Sequence, residues 1–77
     1  MVEVYVLIQT QAGMALDVVA AISAIPGVVR AKAVTGPYDV IVWAEGETVD
    51  GLGYPVIGRI QQVEGVFRTL SCPVVMP

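Results

Sequence analysis

The chain has 77 residues, of which 56% are hydrophobic and only 14% charged. Ordinary globular chains run at about 45–50% and about 25%, so the composition excludes disorder, which needs the opposite bias. Seven acidic residues outnumber four basic ones. The cations Arg30, Lys32, Arg59 and Arg68 form no run, which leaves too few phosphate neutralisers for direct nucleic-acid binding.

The length suits a single domain over residues 1–77. Alternation of branched residues predicts a strand over Val2 to Thr10. After a break at Gln11 to Gly13, Met14, Val18, Ile22 and Ile25 fall at helical spacing up to a Pro26-Gly27 stop. Val28 to Thr35 reads as the second strand, Gly36-Pro37 as a turn and Tyr38 to Glu45 as the third strand. A second helix places Leu52, Val56, Ile60 and Val63 on one face and ends at Gly65. Its interior Pro55 either sits in the first turn of a late-starting helix or kinks one that starts near Thr48. Val66 to Met76 is the fourth strand.

An internal repeat supports the order βαβ–βαβ. Ile25-Pro26-Gly27-Val28-Val29-Arg30 lines up with Val63-Glu64-Gly65-Val66-Phe67-Arg68. Each is an apolar helix end followed by Gly-Val-X-Arg at the start of a strand. Two such halves build an α+β, ferredoxin-like fold: a four-stranded antiparallel sheet with two helices on one face.

The rows Val2, Val4, Val6, Ile8 and Val40, Val42, Ala44 suit a helix-covered core. The opposite sheet face then carries Tyr5, Leu7, Ile41 and Trp43, joined by Ala31, Ala33 and Phe67. No element remains to cover it. Burial against a second copy, as a dimeric sandwich or barrel, removes this apolar area from water at roughly 25 cal/mol per Å².

Little in the chain suggests catalysis. There is no histidine and one cysteine, Cys72, which excludes an internal disulfide framework and a Cys/His metal cluster. A lone thiol suits a reducing cytoplasm. The opening Met1-Val2-Glu3-Val4 lacks a signal-peptide pattern, and apolar runs such as Val40 to Ala44 fall far short of the roughly 20 residues of a bilayer span. No metal, cofactor or catalytic residue is assigned. Glu45, Glu47 and Asp50 read as a solvated acidic edge.

The informative segment is Val34-Thr35-Gly36-Pro37-Tyr38-Asp39. A carboxylate at a turn can hold an ammonium group, and exposed amides there can hold a carboxylate. Together these meet the needs of a zwitterionic amino acid. Thr69 and Ser71 add hydroxyls on one face of the last strand. The same residues also read as turn chemistry and a strand-end hydrogen bond.

Val34-Thr35-Gly36-Pro37-Tyr38-Asp39-Val40 resembles the V-T/S-G-x-Y-D-hydrophobic signature of the effector-binding domain of Lrp/AsnC transcriptional regulators. The segment Val63 to Ser71 is similar to that family's G-V-x-x-T-x-T/S ending, and Ile25 to Val28 to its helix-to-strand corner. The resemblance implies the βαββαβ fold, dimers formed through the sheets, rings that are often octamers, and small effectors, usually amino acids, bound between dimers. It places Gly36, Tyr38, Asp39, Thr69 and Ser71 at the effector site, with Gln61 where some members carry a ligand-contacting glutamine. The chain starts at the first strand, where full-length members carry a DNA-binding domain, so the expected form is a stand-alone effector domain without direct nucleic-acid contact. Full-length regulators of the family are its expected partners besides further copies. Pro37 and Pro73 lie outside the family pattern, and Pro73 suits an edge strand.

Two other functions compete. One is a small dimeric barrel enzyme, an isomerase or monooxygenase with Tyr5, Trp43 and Tyr54 lining its cavity. The other is a purely structural assembly subunit.

Overall fold

Branched residues at every second position hold Val2–Thr10 extended as β1 in the computed structural model, which describes residues 1–75. The chain continues through α1 (Ala15–Ser23), β2 (Val28–Ala33) and β3 (Val40–Gly46). A composite helix follows, made of α2 (Val49–Leu52), a π-helical stretch (Gly53–Gly58) and α3 (Arg59–Gln61). The last element is β4 (Val66–Pro73). The sheet order is β2-β3-β1-β4, antiparallel throughout. This is the expected βαββαβ architecture, with β2 and β4 at the edges and Pro73 accordingly on an edge strand.

The core lies between the sheet and the helices. Val4, Val6 and Ile8 from β1 and Val40, Val42 and Ala44 from β3 form its floor. Val18, Ile22 and Ile25 cover it from the first helix and its end, and Leu52, Val56 and Ile60 from the second. All twelve are buried, and none is polar. Met14 and Val63, expected on the same helix faces, pack half-buried at the margin.

Pro55 neither delays nor breaks the second helix. The helix starts at Thr48, whose hydroxyl accepts the Gly51 N–H at 3.0 Å. It then widens to π-helical spacing around Pro55, where the missing N–H and the ring rule out regular α bonding. The detour keeps Leu52, Val56 and Ile60 on the buried side. Thr48→Ala should cost about 1 kcal/mol of stability, read from chemical denaturation.

The strands are shorter than expected near the turn. β2 stops at Ala33 rather than Thr35, and β3 begins at Val40 rather than Tyr38. The intervening residues form the braced loop described below. β4 runs to Pro73; Met76, expected at its end, lies outside the described residues.

The repeat is a repeated structure. Gly27 and Gly65 adopt φ of +100° and +97°. Val28 N–H donates to Ile25 O and Val66 N–H to Val63 O, each at 3.1 Å. The next residue, Val29 or Phe67, is skipped in the pairing with the neighbouring strand. Each strand therefore opens with a β-bulge at the X of Gly-Val-X-Arg. The bulges reverse the faces that strict alternation assigns. Ala31, expected on the open face, pairs with Val42 and packs against the core instead, while Ala33, paired with Val40, is exposed at the strand end. Arg30 and Lys32 take the open face, opposite Trp43 and Ile41. Phe67 is not part of a sheet-face row but stands exposed at the bulge, with the Arg68 guanidinium 5.8 Å from its ring centroid. Without the bulges Val28 inward would mean Arg30 and Lys32 buried without partners, which is far costlier than a local kink.

Candidate functional site

Residues 34–39 join β2 to β3 and are tied to β1 at several points. Val34 N–H donates to Asp39 O, and Asp39 N–H to Ile8 O, both at 2.8 Å. The Asp39 side chain reaches across to accept the Thr10 N–H on Oδ2 at 2.8 Å. Gln9 Nε2 donates to Pro37 O at 3.1 Å. Asp39 is half-buried, and its other carboxylate oxygen makes no hydrogen bond to the described residues. Tyr38 is also half-buried. Gly36 is exposed at φ +126°, with open space where a Cβ would stand. The loop is a short platform with a fixed base and an accessible tip.

The second group of expected site residues lies on the helix side of β4. Gln61, at the end of α3, donates through Nε2 to Thr69 Oγ1 at 3.2 Å. Thr69 pairs with Ile8 and Ser71 with Val6, so both hydroxyls share the face of the core valines at an edge the helices barely cover. Thr69 is half-buried, and Ser71 is exposed.

Both groups sit at the same end of the sheet. Ile8 is flanked by Val40 on one side and Thr69 on the other. At a strand spacing of about 4.8 Å the start of β3 and Thr69 are about 10 Å apart. No hydrogen bond among the described residues joins the two groups. A ligand touching both would span β1 or be completed by another chain.

The open face carries the other expected set. Tyr5 and Trp43 are register partners with stacked rings, their centroids 6.4 Å apart and planes at 21°. Leu7 and Ile41 are the next pair along. Tyr5 and Ile41 remain exposed, at 42% and 37%. A hollow of about 410 Å³ opens here, lined by Tyr5, Arg30, Lys32, Ile41 and Trp43 with Ala33 and Val34. Arg30 and Lys32 were missed as face residues; the cue was the conflict between Val28 inward and the two cations that follow it. Tyr54, expected beside Tyr5 and Trp43, is 78% exposed on the helical layer and faces away from them. Among the described residues, no helix is long and apolar enough to cross a membrane, and no group of three or more acidic, cysteine or histidine residues could hold a metal ion.

Comparison with known proteins agrees with the fold. A family model described as Lrp/AsnC ligand binding domain matches residues 3–76. No curated protein sequence matches. The solved structure of TTHA0845 from Thermus thermophilus superposes with a TM-score of 0.92 at 29% identity, covering 100% of this chain and 96% of that one. The hypothetical protein PHS023 from Pyrococcus horikoshii gives 0.89 at 28%, with coverages of 100% and 93%. A Neisseria meningitidis transcriptional regulator, solved as a complex with L-Met, shares the fold at a TM-score of 0.81 and 21% identity; the match covers 97% of this chain and 50% of the regulator. Matched over nearly its whole length, the chain belongs to the Lrp/AsnC ligand binding domain family.

Proposed function

We propose that this chain is a regulatory module that senses an amino acid and assembles through its open sheet face. The observation that carries the reading is the braced 34–39 loop. It holds the Asp39 carboxylate, with one oxygen engaged, beside an exposed Gly36 backbone. A carboxylate suits an ammonium group, and open backbone amides suit a carboxylate. Tyr38 would supply a wall, and Thr69, Ser71 and Gln61 hydroxyl and amide contacts from a neighbouring chain. No hydrogen bond among the described residues joins the two groups within one chain, which fits an effector lodged between dimers in a ring such as an octamer.

The L-Met complex of the Neisseria regulator supports the ligand class. An effector seated between subunits favours one assembly state over another, and that differential affinity is the regulatory output. The output would act on transcription or metabolism in the cytoplasm, through partners that include full-length family members. The role is non-enzymatic, and the displacement of Tyr54 from the aromatic face removes one wall of the barrel-enzyme alternative.

Calorimetry of the folded protein against each of the twenty amino acids tests the reading. At least one should bind with micromolar to millimolar affinity and shift the sedimentation profile. Silence from all twenty at millimolar concentration would remove the sensor role.

A further inference from the structure

The composite helix and β4 form the two walls of a slot on the helical side of the sheet. Gly53, Ile57 and Gln61 recur at every fourth residue along the helix. Thr69, Ser71 and Pro73 recur at every second residue along β4 and pair with Ile8, Val6 and Val4, so all three face the helical layer. The slot closes at one end, where Gln61 Nε2 donates to Thr69 Oγ1 at 3.2 Å. At the other end the walls part over an apolar pocket of about 100 Å³, whose lining includes Val4, Val49, Leu52, Gly53, Ile57 and Pro73. Glu3 is the one charged residue on this lining. Its carbonyl already accepts the Val74 N–H at 3.0 Å. Gly53, at the head of the π-helical stretch, leaves the space unfilled: an added Cβ there would meet nothing within 4 Å.

We propose that this slot binds a short, branched aliphatic carboxylate, with its tail in the pocket and its head on the hydroxyls of β4. The pocket sets the tail. An apolar cavity of about 150 Å³ takes benzene, so the smaller space here suits a branched group of about three or four carbons. The strand sets the head. Ser71 is exposed, and its hydroxyl makes no hydrogen bond to the described residues. Thr69 Oγ1 accepts from Gln61 and keeps its own proton to donate. Ser71 and Pro73 are about 7 Å apart along the strand, a span that a carboxylate with a tail of about five carbons covers. The site goes beyond the amino-acid reading. Its occupant lies within one chain, and Asp39 is two strands away, at least about 10 Å from Ser71. An ammonium group is therefore not part of what the slot recognises.

Calorimetry of the folded chain with isocaproate, a six-carbon branched acid, tests the slot. It should bind with a dissociation constant of about a millimolar or below, while acetate, which has the head and no tail, should not bind. Gly53→Leu fills the pocket. Gly53 has φ −58°, which any residue adopts, and the new side chain grows into open space. The variant should keep or gain stability in urea and bind isocaproate at least about tenfold more weakly. Ser71→Ala should weaken binding about three- to tenfold at unchanged stability. Asp39→Asn should leave isocaproate binding as it is. L-Leucine carries the same tail with an ammonium group and separates the two sources of that chemistry. If L-leucine alone binds, and binding is lost in Asp39→Asn but kept in Gly53→Leu, the ligand belongs to the loop: the slot is overturned and the sensor reading stands. Silence from isocaproate at about ten millimolar, or binding that Gly53→Leu leaves unchanged, also overturns the slot. Isocaproate binding that Gly53→Leu removes, with every amino acid silent, establishes the slot and removes the sensor reading instead.

Discussion

Gly27→Ala should lower the unfolding free energy by about 4 kcal/mol, close to the whole stability of a domain this small. Two effects add. The first is conformational: φ is +100°, a region costing an L-residue about 1–2 kcal/mol. The second is steric: an added Cβ would stand 2.7 Å from Val56 Cγ2. Val56 is 4% exposed, stiff about χ1 and seated at the π-helical stretch, so relief requires the helix itself to move. Gly65 occupies the equivalent place in the second half at φ +97°. There a Cβ meets Met14 Cε at 2.9 Å and Val18 Cγ2 at 3.1 Å. The Met14 end swings away easily, so Gly65→Ala should cost about 1 kcal/mol less. Gly36 supplies the control. It also has positive φ, but nothing lies within 4 Å of the added Cβ, so Gly36→Ala should cost only about 1–2 kcal/mol. Urea denaturation of the three variants separates strain from clash. Equal losses at Gly27 and Gly36 would mean that the helix yields without penalty.

The same two corners show where the sequence is legible and where it is not. Valine and isoleucine at every second position state the core face of β1 and β3 directly, because a one-residue slip would expose the whole row. Leu52, Val56 and Ile60 state the buried helix face in spite of Pro55, because the π-helical detour restores the spacing. At β2 and β4 the pattern is ambiguous. Alternation fixes phase only from a known starting point, and a bulge resets that point without any special residue. Val29 and Phe67 differ in kind yet do the same job. The repeat placed them at matching positions, and the cations after them were the sign that the phase must change. The loop chemistry at Gly36 to Asp39 was legible as a turn with a carboxylate. Its anchoring was not, since the Thr10 N–H that Asp39 binds is 29 positions away in sequence. The separation of Asp39 from Thr69 and Gln61 also depends on strand order, which local pattern does not encode.

Asp39→Asn should leave the fold intact and weaken amino-acid binding by about ten- to a hundredfold, the worth of one charge-assisted hydrogen bond. The side chain has two tasks in the proposed site, and the amide separates them. Bracing needs only an acceptor for the Thr10 N–H, which the carbonyl oxygen of the substituted amide provides at the same place. Holding an ammonium group needs the negative charge, which the amide lacks. Asp39→Ala loses both. It strands the part-buried Thr10 N–H, so it should cost about 1–2 kcal/mol of stability and loosen the loop as well as the ligand. Thr69→Val probes the other half, since it removes the hydroxyl that Gln61 bonds while keeping the shape. At a half-buried edge position its stability cost should stay below about 1 kcal/mol. Calorimetry and denaturation on the three variants give a pattern that a purely structural loop does not: binding falls in all three, and stability falls clearly in Asp39→Ala alone. If Asp39→Asn binds as the wild type does, Asp39 is a brace and the ammonium sits elsewhere. If Thr69→Val binds unchanged while Asp39→Asn fails, the effector rests on the loop of one chain. The gap between the two groups then needs no neighbouring subunit to bridge it.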